Sequence, residues 1–353
     1  MKLRSFTTWI LLGLISATVM VTGTARHREF KDEALDDSNT NQNPNLLQIG
    51  TVTFHGRTGC PAGAITGTVC QSITVSCPGI PDLKATLGSA SPSGTAKGTI
   101  ILLNGGPGTK FFKNSNFADT YLADGFNVAE LAWATDWASA NGAGVKSAAC
   151  RPATVFKTIF DTVQRGSRTT GFCGQGISGG AAALAYSLAH YGFGDYFDYV
   201  VMAAPALARM DYGCDAALYT GAPRDLCPLL PNAPFAYASG KLVNGWEDTT
   251  TCAAENPLPS DISRWRADSI VSSGANYSYP HTAISWYFCA TSRYAGDGNT
   301  GQSTFLIDQV VPKNAPSDVN CYTGTCHGES VWEDPNAFST TVSEMLAQCV
   351  PNH

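Results

Sequence analysis

The chain has 353 residues, 44% of them hydrophobic and 14% charged, which is enough apolar surface for a large core and too apolar for a disordered chain. A formal net charge of -6 offers no basic surface, so nucleic acid is not expected as a partner. All twelve cysteines follow residue 59, no CxxC pair occurs, and the six histidines form no tight ligand cluster; the pattern points to disulfides rather than a metal site.

Lys2 and Arg4 precede an apolar run from Trp9 to Val21, followed by the small residues Gly23-Thr24-Ala25. This run of about 13 residues is shorter than the roughly 20 a spanning helix needs, so residues 1–25 read as a cleaved signal peptide. The expectation is a secreted protein without stable membrane insertion, with a net charge of about -8 once Lys2 and Arg4 are gone. Residues 26–45 are polar and rich in Asn and Asp and read as a flexible lead-in. Residues 46–353 read as one α/β domain, as follows.

Strands are predicted at Gln71–Ser76 and Leu83–Leu87, then at Gly98–Leu103, whose unbroken apolar run suits a strand buried on both faces. Phe126–Trp133 is the next strand, and Ala153–Arg165 a helix with Val155, Phe156, Ile159, Phe160 and Val163 on one face. A strand at Thr170–Gly176 leads into a small-residue helix at Gly180–Tyr191. Strands at Asp198–Ala204, Ile284–Ala290 and Asp318–Tyr322 and a closing helix at Phe338–Leu346 complete the alternation, which predicts a mostly parallel sheet flanked by helices. Residues 207–283 interrupt it with three cysteines, several prolines, Trp246 and Trp265, and are expected to form a disulfide-containing lid insertion. Proximity in sequence suggests the pairs Cys150–Cys173 and Cys321–Cys326.

The chemistry centres on Gly176-Ile177-Ser178-Gly179-Gly180, the one G-x-S-x-G in the chain. It follows a β-like run and opens a helix, the setting in which a sharp turn lifts a nucleophilic serine above a sheet. Upstream, Asn104-Gly105-Gly106-Pro107-Gly108 follows the buried strand directly. Gly106 and Gly179 are the candidate oxyanion donors, since Pro107 has no N–H. His327, just after the last strand, is the candidate base. For the acid that orients it, Asp297 after the Ile284–Ala290 strand fits best; Asp308 and Asp211 are the alternatives.

With these residues the chain resembles the α/β-hydrolase superfamily over roughly residues 70–350. Its Gly-Gly-Pro-Gly loop is similar to that of proline iminopeptidase-type serine peptidases, with Asn104 in place of histidine. Gly179, where those peptidases carry tryptophan, looks more like carboxylesterases and lipases. The resemblance implies a Ser178–His327–Asp297 acyl-enzyme mechanism on a small-molecule or lipid-like ester, with no metal or cofactor. The alternatives are a serine aminopeptidase, for which Glu247, Asp248 or Glu255 would hold the substrate amine, and a non-catalytic binding protein on the same scaffold. Trp133, Trp137, Trp246, Trp265 and Trp286 read as core or as pocket walls; Arg209, Arg264 and Arg266 read as paired surface residues or as ligands for a carboxylate.

Overall fold

Period-two burial builds the first strands. In Val69–Ser76 the apolar Ile73 and Val75 turn inward while Ser72 and Thr74 are half-exposed. The later strands carry no such alternation because both of their faces are covered: Gly98–Leu103, Asn127–Trp133, Gly171–Ile177, Tyr199–Ala203 and Ala283–Cys289 are buried at every position. The computed structural model describes residues 46–112, 114–214, 258–289, 299–312, 318–322 and 330–353. The predicted signal peptide and lead-in therefore lie outside the described residues.

The strands in chain order are Thr51–Arg57 (β1), Val69–Ser76 (β2), Leu83–Ala90 (β3), Gly98–Leu103 (β4), Asn127–Trp133 (β5), Gly171–Ile177 (β6), Tyr199–Ala203 (β7), Ser278–Tyr279 (β8), Ala283–Cys289 (β9), Val311–Pro312 (β10) and Asp318–Tyr322 (β11). The helices are Ser115–Ala123 (α1), Val145–Ala148 (α2), Cys150–Thr162 (α3), Gly179–Tyr191 (α4), Met210–Cys214 (α5), Pro259–Asp268 (α6), Asn299–Ile307 (α7) and Pro335–Gln348 (α8). The main sheet runs β1-β2-β3-β5-β4-β6-β7-β9-β11. β1, β2, β3 and β5 pair antiparallel; from β5 onward every pairing is parallel. β8 and β10 form a separate parallel pair.

The sheet divides the core in two. On one face α3 and α4 pack through Phe156, Ile159, Leu184 and Leu188 against Leu103, Leu131 and Val200. On the other, α1 and α8 contribute Phe117, Tyr121, Ala337 and Met345 against Ile100, Val128 and Val201. This division corrects the expected Cys150–Cys173 bond. Cys150 lies on the α3 face and Cys173 on the α8 face, so the sheet stands between them. Between described residues the disulfides are Cys77–Cys150 and Cys173–Cys349, each within one face, with Cys60–Cys70 joining the antiparallel edge. Every cysteine among the described residues is disulfide-bonded, Cys321 included; its expected partner Cys326 lies outside them. Among the described residues no helix is long and apolar enough to cross a membrane.

Of the predicted insertion, residues 207–214 and 258–283 are described. They hold α5, α6 and β8, and fasten to the domain through side chains on α4: Tyr186 Oη donates to the Asp268 carbonyl at 2.7 Å, and His190 Nε2 lies 3.0 Å from the Ile270 carbonyl. Burial, with the nearby Lys146 cation, lowers His190 to about 4, so the ring is neutral and Nε2 donates that bond.

Candidate active site

β6 ends at Ile177 and α4 begins at Gly179, so a single residue makes the turn between them. That residue, Ser178, has φ 50° and ψ -114°. Such a backbone costs a non-glycine residue about 1–3 kcal/mol and persists only where its surroundings impose it. Here they do. The Ser178 N–H donates to the Ala203 carbonyl at 2.8 Å, and its own carbonyl accepts from Ala182 N–H at 2.8 Å. The flanking glycines make the turn possible: a Cβ on Gly176 would stand 2.6 Å from the Gly180 carbonyl carbon, and one on Gly180 2.4 Å from the Leu103 carbonyl oxygen. Ser178 remains partly exposed at the N-terminus of α4, where unpaired N–H groups and the helix dipole favour negative charge.

The Asn104–Gly108 loop lies directly against this turn. A Cβ on Gly179 would stand 2.2 Å from the Gly106 carbonyl oxygen, and one on Gly105 3.4 Å from Ser178 Cβ. Gly106 and Gly108 adopt φ 60° and 66°. Three anchors hold the loop: Trp133 N–H donates to Gly108 O at 2.9 Å, Asn104 Oδ1 accepts from Gly105 N–H at 3.0 Å, and Glu130 Oε1 accepts from Phe112 N–H at 3.1 Å. Glu130 was not singled out by the sequence reading, although it is the one charge in the apolar run Val128–Trp133. It is buried, and desolvation raises its carboxyl to about 7, the Phe112 N–H opposing and Asp119 adding to the shift.

Two of the three candidate acids lie among the described residues. Asp211 is fully buried, its two oxygens held by Arg209 Nε at 2.8 Å, by Arg209 at 2.7 Å through a terminal nitrogen, and by Arg266 Nε at 3.0 Å. Its lone pairs are thus engaged by guanidinium groups. Asp308 is exposed in the turn after α7. Asp297 and His327 lie outside the described residues, as do Glu247, Asp248, Glu255 and Trp246. The strands that precede the first two are described. β6, β7, β9 and β11 are parallel neighbours, so the chain leaves Ile177, Cys289 and Tyr322 at one edge of the sheet. The tryptophans within the described residues, Trp133, Trp137, Trp265, Trp286 and Trp332, are all buried in the core. Arg264 pairs with Asp261 at 3.5 Å. Among the described residues no group of three or more His, Cys, Asp or Glu is placed to hold a metal ion.

A mostly parallel sheet with helices on both faces, a strand–serine–helix turn at its centre and a glycine loop from the neighbouring strand define the α/β-hydrolase fold. No protein-family model and no curated protein sequence matches the chain. Solved structures resemble it. An acylaminoacyl peptidase from Pyrococcus horikoshii is 12% identical with a TM-score of 0.45, over 87% of this chain and 43% of that one, so this chain spans less than half its length. A brefeldin A esterase, a bacterial homologue of human hormone-sensitive lipase, is 14% identical with a TM-score of 0.47, over 83% and 79%. A carboxyl esterase from the mycorrhizal fungus Tuber melanosporum is 12% identical with a TM-score of 0.46, over 85% and 92%. At these scores the matches carry no weight of their own; the strand order and the turn at Ser178 define the fold.

Proposed function

We propose that the chain is a secreted serine hydrolase that cleaves carboxylic esters through an acyl-enzyme on Ser178, with His327 as base and Asp297 as its orienting acid. The observation that carries this reading is the Ser178 turn at φ 50°, with Gly106 pressed against Gly179. A strained turn that leaves a serine partly exposed at a helix N-terminus, beside a second glycine loop, serves nucleophilic attack and has no evident use in packing.

The reach of the chain supports the other two roles. Tyr322 lies three strands from β6, or about 14 Å at the usual strand spacing. His327 follows Tyr322 by five residues, which span up to roughly 17 Å, so an imidazole there can meet Ser178. Asp297 follows Cys289 by eight residues and has reach to spare.

Ser178 Oγ attacks the ester carbonyl carbon as His327 takes its proton, and the oxyanion falls between the N–H groups of Gly106 and Gly179. The imidazolium, steadied by Asp297, gives that proton to the departing alkoxide. Water then attacks the acyl-enzyme with the same histidine as base and releases the acid and Ser178. The disulfides in the structure fit an exported protein, and residues 207–283 serve in this reading as a lid at the Ser178 edge.

The test is turnover of p-nitrophenyl acetate, butyrate and octanoate by the disulfide-bonded chain beside Ser178→Ala. A loss of about 10³-fold or more in the variant is expected. A folded wild-type chain that neither turns over an ester nor reacts with a fluorophosphonate at Ser178 would overturn the proposal. Fluorophosphonate labelling without ester turnover would move the reading to the aminopeptidase.

A further inference from the structure

An open cleft of about 410 Å³ lies between α6 and the turn leading into α5, lined by Arg209, Arg266, Ser263, Val271, Ser272 and Ser273. It belongs to the same sheet edge as Ser178. The Ala206 N–H lies 3.4 Å from the Ser178 carbonyl, Arg209 is three residues further, and the cleft wall is fixed by Ile270 and Val271 N–H groups donating to Leu207 and Ala208.

The two arginines are held differently. Arg209 uses Nε and a terminal nitrogen on Asp211 and lies 4.5 Å from the Tyr212 ring centre and 5.0 Å from that of Phe305, a locked position. Arg266 spends only Nε on Asp211, and its side chain is 54% exposed. The inner edge of its guanidinium is therefore fixed by a buried carboxylate, which leaves the two terminal nitrogens of this cleft-lining residue for a ligand. Lys146 adds a third cation at the rim, with Nζ 2.7 Å from the Ala267 carbonyl and 3.4 Å from Ser272 Oγ. Against these three cations the described residues set Asp211 and Asp268, the latter accepting from the Val145 and Lys146 N–H groups at 2.5 and 2.8 Å. Asp261 is paired with Arg264. Among the described residues one positive charge is left over at this cleft, in a protein whose net charge is -6.

We propose that this cleft is a carboxylate-binding site in which the outer edge of Arg266 receives a ligand carboxylate in paired hydrogen bonds, with the hydroxyl-bearing wall Ser263, Ser272 and Ser273 beside it. A planar two-pronged donor held from behind matches a carboxylate in shape and charge, and Asp211 supplies the orientation that a free surface arginine lacks. The carboxylate belongs either to the substrate itself or to a separate small acid. The site stands whether or not Ser178 is a nucleophile.

The experiment is calorimetric titration of succinate into the full disulfide-bonded chain in low-chloride buffer, with succinamide as the neutral control. Saturable one-site binding of succinate and none of succinamide is expected. Arg266→Gln should weaken binding at least about tenfold, and Arg266→Lys, which keeps the charge but loses the fork, should recover little of it. Thermal unfolding of both variants checks that the half-exposed position leaves the fold intact. No saturable binding, or equal binding by a folded Arg266→Gln, would overturn the proposal. Fluorophosphonate labelling with and without succinate separates the two sources. Slower labelling means that the carboxylate lies on the substrate's path, and unchanged labelling with binding retained means a separate acid. Failure of Ser178 to label at all would count against the hydrolase reading and leave the titration standing.

Discussion

A methyl group at residue 179 has nowhere to go, because its position falls 2.2 Å from the Gly106 carbonyl oxygen. Gly179→Ala must push the Asn104–Gly108 loop away from the turn and so part the two proposed oxyanion donors. The expected result is a kcat lower by about 10²–10³-fold with KM changed far less, the range seen when one donor is lost. Steady-state kinetics on p-nitrophenyl butyrate checks it. A second residue prediction concerns Glu130, buried and raised from 4.5 to about 7. Between those pH values the unfolded chain has lost a proton that the folded chain keeps. Stability therefore falls as pH rises from about 4.5 to about 7 and stays at the lower level above, by roughly 2–4 kcal/mol. Glu130→Gln keeps an oxygen for the Phe112 N–H and removes the ionisation. Its stability relative to wild type should rise through that window in urea unfolding at pH 5, 6 and 8. His190, lowered to about 4, works with the opposite sign, losing stability as pH falls below about 6.5, and cancels in the comparison.

At the scale of elements, one carboxylate joins α6 to α2 beside the bond from Lys146 Nζ to the Ala267 carbonyl. Asp268, at the end of α6, accepts from both Val145 and Lys146 N–H groups at the start of α2, while Tyr186 of α4 takes its carbonyl. Asp268→Ala would leave two N–H groups without this acceptor, and a loss of about 2–4 kcal/mol in urea unfolding is expected. Sequence reading placed the strands well because apolar runs such as Ile100–Leu103 are long and unambiguous. It placed α3 three residues late, since Cys150, Arg151 and Pro152 are helical but lack the periodic apolar face. It overlooked α1, although Phe117 and Tyr121 share a helix face, because the surrounding residues are mixed and short. The Ser178 turn was legible because glycines forced by close approach leave a motif. Glu130 and Asp268 act through contacts 18 and 123 residues away along the chain, which no local pattern announces.

At the scale of the whole molecule, the sheet makes two cores that the chain crosses repeatedly, and a long disulfide between described residues lies in each. Cys77–Cys150 closes 73 residues on the α3 face, and Cys173–Cys349 closes 176 on the other, tying a central strand to the tail after α8. The two loops do not overlap in sequence, so each restricts a separate part of the unfolded chain and their contributions should add. Chain entropy gives about 4 kcal/mol for the shorter loop and about 5 kcal/mol for the longer; measured losses on removing native disulfides run from about 2 to 5. Cys77→Ser with Cys150→Ser, and Cys173→Ser with Cys349→Ser, should therefore each lower unfolding free energy by about 2–5 kcal/mol. Joining all four changes should lose the sum of the two within about 0.5 kcal/mol. Urea unfolding under non-reducing conditions measures all three. A combined loss well short of the sum would mean that the two faces unfold as partly separate units rather than as one cooperative sheet.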